Sequence, residues 1–158
     1  MKRMQTARCY HSCAVFAGKI VVTGGLYLDE TRGSVEAYDH FENKWSYMPD
    51  LLKYRSGNGS VAMGNKLYVI GGIDTKDCEV FDYISNKFTL IKPLPLKYGY
   101  GDCNSKVSFF RVKDKIIVKY DAEDKEVDNI YIYDTHKDKW SSTSVEYFKE
   151  NSCQVMYS

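Results

Sequence analysis

GSVAMGNKLYVIGG, residues 59–72, holds two short apolar runs joined by a small polar turn, Gly64-Asn65-Lys66, and closes on two adjacent glycines. Such a stretch reads as a β-hairpin. The second run, Leu67-Tyr68-Val69-Ile70, is apolar at every position. Alternate side chains of a strand point to opposite faces, so this strand needs cover on both. SCAVFAGKIVVTGG (12–25) matches it upstream and SFFRVKDKIIVKYD (108–121) downstream. Gly24 and Gly71 are 47 residues apart, and Gly71 and its counterpart Tyr120 are 49 apart.

A second block follows each of the first: VEAYDHFENKW (35–45), CEVFDYISNKF (78–88) and IYIYDTHKDKW (130–140). In each, an aromatic (Tyr38, Phe81, Tyr133) precedes Asp, and another (Trp45, Phe88, Trp140) stands seven residues on. Upstream, Arg8 and Arg55 each lie eleven residues before the lysine opening the apolar strand, with Asn104 at the third site. A repeat of this length calls for one supersecondary unit per copy, stacked on its neighbours. The expected unit is a four-stranded antiparallel sheet. The glycine pairs (Gly24-Gly25, Gly71-Gly72) end the second strand at points needing a residue without Cβ, and the strand-three and strand-four aromatics are expected over that gap. The connections after the glycines differ in length (26–34, 73–77, 122–129), as recognition loops do.

Paired glycines closing an apolar strand, then Tyr-Asp and Trp at fixed offsets, resemble the kelch repeat. TARCYHSCAVFAGKIVVTGG, SVEAYDHFENKWSYMP, LYVIGG and CEVFD are similar to the propeller half of BTB-kelch (kelch-like) proteins. The resemblance covers residues 4 to 140 and is most specific in the first two units; Lys119-Tyr120-Asp121 replaces the glycine pair in the third. It implies an all-β fold, a partial kelch β-propeller of about three four-stranded blades plus one strand of a fourth. The expected divisions are a connector at 1–8, repeats at 9–49, 50–95 and 96–145 (the last degenerate), and the start of a fourth repeat at 146–158. The resemblance implies a six-bladed ring, and propellers generally close with about four to eight blades. The chain is therefore expected to be a fragment, or an arc completed by another chain, and marginally stable alone because its end faces are apolar.

The resemblance implies a binding surface, with no cofactor. Arg8 and Arg55 sit where some kelch-like propellers grip an acidic segment of a partner through forked hydrogen bonds. The alternative is that they pair with a carboxylate of a neighbouring blade. Tyr10, Ser12, Tyr54, Ser56, Tyr98 and Tyr100 flank them, and aromatics beside arginine make good hot spots. By resemblance, the chain belongs to a substrate-recognition subunit that reaches a cullin-3-class ubiquitin ligase through a BTB domain outside these residues. Actin or another cytoskeletal partner is the second reading, and a copper enzyme like galactose oxidase the third. With three histidines in the chain, two of them (His40, His136) in equivalent turns, the third has little to build on.

Composition fits a binding module. Lys plus Arg number 22 against 21 Asp plus Glu, so nothing draws the chain to nucleic acid or an anionic membrane. The basic start lacks the apolar stretch of a secretory leader, and the five cysteines show no tight pairing. Both features suit reduced thiols and a cytoplasmic setting. Cys9, His11 and Cys13 would share one face of a strand but be spread over roughly 13 Å, too far for one zinc ion. No nucleophile motif or phosphate loop is present. The sequon Asn58-Gly59-Ser60 falls in an expected inner strand, and the acidic run 121–128 lacks the spacing of a calcium loop.

Overall fold

The computed structural model describes residues 2–73, 75–96, 106–121 and 127–146. Each repeat folds as one antiparallel sheet. In blade 1, β1 (Ser12–Phe16) turns at Ala17-Gly18 into β2 (Lys19–Thr23). A two-stranded ribbon follows, β3 (Leu26–Tyr27) with β4 (Glu30–Thr31), and then β5 (Val35–Asp39) and β6 (Lys44–Met48) complete the sheet in the order β1-β2-β5-β6. Blade 2 comprises β7 (Gly59–Met63), β8 (Lys66–Ile70), β9 (Cys78–Asp82) and β10 (Lys87–Ile91). Blade 3 comprises β11 (Lys106–Val112), β12 (Lys115–Asp121), β13 (Val127–Asp134) and β14 (Lys139–Glu146). The described residues contain no helix.

The first strands lie side by side, β7 between β1 and β11, so the blades fan out from a shared inner edge. Strand parity then builds the core. Val21 faces blade 2, joining Phe16, Val35, Leu67, Val69, Phe81 and Phe88. Tyr68 and Ile70, of opposite parity to Leu67 and Val69, face blade 3 and meet Ile116, Val118 and Tyr133. On the other face of blade 1, Val22, Tyr38 and Trp45 gather around Met4. A hollow of about 670 Å³ opens on that face, lined among others by Met4, Cys13, Ile20 and Trp45. Both faces of each second strand thus carry apolar side chains.

The aromatic landmarks are cross-strand neighbours: Tyr38 opposite Trp45, Phe81 opposite Phe88, Tyr133 opposite Trp140. Their ring centroids stand 5.2, 5.0 and 4.9 Å apart, within the range of favourable aromatic pairs. In blade 3 no glycine pair stops the second strand, and β12 runs on to Asp121, seven residues against five in β2 and β8. The expected first strand of a fourth unit lies outside the described residues.

Candidate protein-binding face

Both connector arginines turn inward. Arg8 donates from Nη1 to the carbonyls of Gly24 and Ser34, each at 2.8 Å, and from Nη2 to Glu36 at 2.6 Å. Arg55 repeats these three bonds: Nη1 donates to the carbonyls of Gly71 and Asp77, and Nη2 to Glu79. All four charged side chains are fully buried. Each glutamate also accepts the two backbone N–H groups that lead into its arginine, from Gln5 and Thr6 in blade 1 and from Leu52 and Lys53 in blade 2. A buried ion pair is tolerable when its remaining donors and acceptors are met, and here they are.

The guanidinium groups are therefore committed inside the fold and point away from the rim where a partner was expected. Nor is the carboxylate a neighbouring blade's: Glu36 and Glu79 lie on β5 and β9 of the arginines' own sheets. These glutamates are the residues that sequence reasoning missed. Both stand two positions before the strand-three aromatic, in register with an arginine. The third repeat has Tyr131 at that position and Asn104 in place of the arginine, so both partners are replaced together.

The glycine pair also differs from expectation. A Cβ on Gly24 would lie 2.6 Å from the Arg55 carbonyl oxygen and 2.7 Å from Asn58 Oδ1; one on Gly25 would lie 2.8 Å from the Cys9 carbonyl oxygen. Arginine connectors, not aromatics, occupy the space. The reason is the ladder they form there: Gly25 donates its N–H to the Arg55 carbonyl at 2.9 Å, which a bulkier residue would push apart.

Tyrosines face solvent at this end, among exposed His11, Asp29, Glu30 and Lys53. Tyr10 and Tyr54 are exposed, Tyr54 at 68%, while Ser56 is buried. Tyr98, Tyr100 and Asn104 lie outside the described residues. Between Tyr10 and Tyr54 rises the β3–β4 ribbon, whose base is strapped on both sides. Cys9 and Leu26 exchange N–H···O bonds of 2.9 and 2.8 Å, and Arg55 donates its N–H to the Arg32 carbonyl at 3.2 Å. The Arg32 guanidinium lies 5.6 Å from the Tyr27 ring centroid and 3.3 Å from Glu30. At the tip, Leu28 and Asp29 have φ of 48° and 62°. Two-residue hairpin turns of this hand favour Asn-Gly, and a left-handed Leu costs about 1 kcal/mol. The strained Leu28 is 78% exposed. Tyr10 is left-handed too (φ 50°), where the second repeat has Gly57.

Burial pushes the Cys78 thiol up to about 11, so it remains protonated and unreactive. Cys9 and Cys13 are exposed. Alkylation of the folded protein at about pH 8 is expected to modify Cys9 and Cys13 and spare Cys78; equal labelling of Cys78 would contradict its place in the core.

Comparison with known proteins adds the context. The kelch motif model matches residues 7–52 and 54–95, more than half of the chain. Kelch-like protein 25 of Xenopus tropicalis is 28% identical over 146 residues, covering 84% of this chain and 24% of that protein. Kelch-like protein 41a of Danio rerio is 33% identical over 86 residues, 54% of this chain and 14% of its own. Kelch repeat protein C2 of cowpox virus is 25% identical over 151 residues, 86% and 29% respectively. The chain spans less than a third of the length of each of these relatives.

Proposed function

The chain belongs to the kelch-repeat family, and from that premise we propose that it is a protein-binding module whose partner docks on the connector face, around the β3–β4 ribbon. The observation that carries this is a rigidly based hairpin presenting a strained, exposed Leu28 beside Tyr27, with Tyr10 and Tyr54 flanking its base. Strain kept at an exposed tip points to a role there, since a glycine turn would fold more easily. Exposed tyrosines on fixed backbone supply contact area at low entropic cost. Because Arg8 and Arg55 are spent on Glu36 and Glu79, aromatic and apolar contacts carry recognition, in place of an arginine grip on an acidic segment. In the whole protein, the partner bound here would be presented for ubiquitination by a cullin-3-class ligase, recruited by a segment outside these 158 residues.

Affinity capture from cell extract with the wild-type chain and with Tyr54→Ala tests the face. A partner retained by the wild type is expected to bind Tyr54→Ala about tenfold or more weakly, a hot-spot effect. The paired change Leu28→Asn with Asp29→Gly is expected to raise the melting temperature by a few degrees, about 1 kcal/mol of relieved strain, while weakening the same partner. Unchanged binding in both variants would remove this face from the function.

A further inference from the structure

The two seams within the chain show, position by position, what covers a blade face. Ala14, Phe16, Val21, Val35 and Ala37 of blade 1 pack on Leu67, Val69, Phe81 and Phe88 of blade 2. In blade 3 the same five positions, fixed by strand register, hold Phe110, Val112, Ile117, Ile130 and Ile132. Here Phe110 and Val112 are about half exposed, and the three isoleucines are partly so. The opposite face is open on blade 1. Ile20 stands where Leu67 and Ile116 do in the later blades; those two are 0% exposed and Ile20 is 39% exposed. It borders the hollow of about 670 Å³, whose lining is mostly apolar and includes Met4, Val22 and Trp45 together with Lys2, Arg3 and His11.

The course of the chain fits these two faces to each other. Blade 2 sends Lys92 across to blade 3, where its N–H reaches Asp138 at 3.0 Å and its carbonyl accepts the Trp140 indole N–H at 2.9 Å. On blade 1 that place is already filled by Lys2, whose N–H reaches Asn43 at 3.2 Å and whose carbonyl accepts the Trp45 indole N–H at 3.0 Å. An incoming blade must therefore not bring such a segment of its own. Blade 3 meets that condition. The outer strands β6 and β10 end at Met48 and Ile91, but β14 runs straight on past the equivalent point to Glu146, paired with Val127.

We propose that a second copy of this chain docks head to tail, the far face of its blade 3 on the open face of blade 1. Val112 of one copy then lies over Tyr38 of the other, as Phe16 lies edge-on to Phe81 with ring centroids 6.0 Å apart. Such a contact is heterologous, so the same two faces meet again at the other end and the pair closes. Six blades result, within the four to eight of closed propellers. Each sheet face is roughly 19 by 17 Å, and two seams bring about 1,300 Å² of sheet face together, comparable with a stable protein interface. Both faces also carry basic groups, Lys2 and Arg3 on one and Lys119, in the place of Thr23, on the other. Apolar contact therefore drives the seam, and added salt is expected to tighten it.

The test is the mass of the full chain in solution, by sedimentation velocity and light scattering. At about 50 μM the wild type is expected at twice the 18.2 kDa of one chain, with a dissociation constant on the order of 1 μM. Ile20→Glu and Phe110→Glu each put a carboxylate into both seams, and each alone is expected to weaken association about a hundredfold or more. Mixed in equal amounts, the two variants are expected to regain a dimer held by one seam. Phe110→Glu keeps the blade 1 face and Ile20→Glu the blade 3 face, so recovery also shows that both are folded. Tyr54→Ala is expected to remain dimeric. A wild type that is monomeric at that concentration, or that grows into longer open chains, would overturn the proposal. So would a dimeric Phe110→Glu, or no recovery on mixing variants whose circular dichroism matches the wild type.

Discussion

Glu79→Ala is expected to lower the unfolding free energy by about 3–5 kcal/mol, read as a shift in the urea midpoint with little change in slope. The size follows from what the substitution leaves behind. Arg55 is 1% exposed, and its Nη2 donates to Glu79 from within the sheet. Without the carboxylate, the guanidinium keeps its charge and its bonds to Gly71 and Asp77, but the charge is uncompensated. A guanidinium does not escape by losing its proton. The Leu52 and Lys53 N–H groups, which reach Glu79 at 2.7 and 2.9 Å, lose their acceptor as well, loosening the connector that enters blade 2. The same change at Glu36 is expected to cost less. Arg8 keeps a further bond there, from Nη2 to the Ser34 hydroxyl at 2.9 Å. A loss under 1 kcal/mol at Glu79 would mean that the buried pair is not formed in solution.

Gly24→Ala is expected to cost about 3 kcal/mol, from two sources that separate by comparison with Gly18→Ala. Both glycines are left-handed, with φ of +63° and +74°, so each substitution carries the backbone penalty of about 1 kcal/mol. At Gly18 a Cβ meets nothing within 4 Å. At Gly24 it meets the Arg55 carbonyl oxygen and Asn58 Oδ1, and the connector must shift, an overpacking cost of about 1–3 kcal/mol. The two urea midpoints are expected to differ accordingly. Equal losses would show that the next connector does not lie against Gly24.

Much of the architecture was legible in the residues because each unit repeats its local chemistry. Apolar parity in LYVI, the polar turns and the seven-residue spacing from Tyr38 to Trp45 all demand a four-stranded sheet, and the strand register agrees. The glycine pairs were legible as places of close approach, but not what approaches them. Arg55 reaches Gly24 from a connector some thirty residues away, and no pattern within a single unit records that encounter. Glu36 and Glu79 were hidden for a related reason: an acidic residue in VEAYD or CEVFD looks like a solvent-facing position until the arginine is placed over it. The ribbon at 26–31 escaped because Leu28-Asp29 lacks the Asn-Gly signal of a tight hairpin, and that missing signal is the strain now seen at its tip. The Lys92 N–H reaches Asp138, in a turn more than forty residues on, and only the folded chain displays such a tie.

A double-mutant cycle on Arg55→Met and Glu79→Leu, followed by urea unfolding, most directly probes whether the connector arginines are ties within the blade. The expected coupling energy is about 2 kcal/mol or more, with the double variant closer to wild type than the sum of the single losses implies. Strictly additive losses, or an Arg55→Met variant of wild-type stability, would contradict it and return the arginines to the surface.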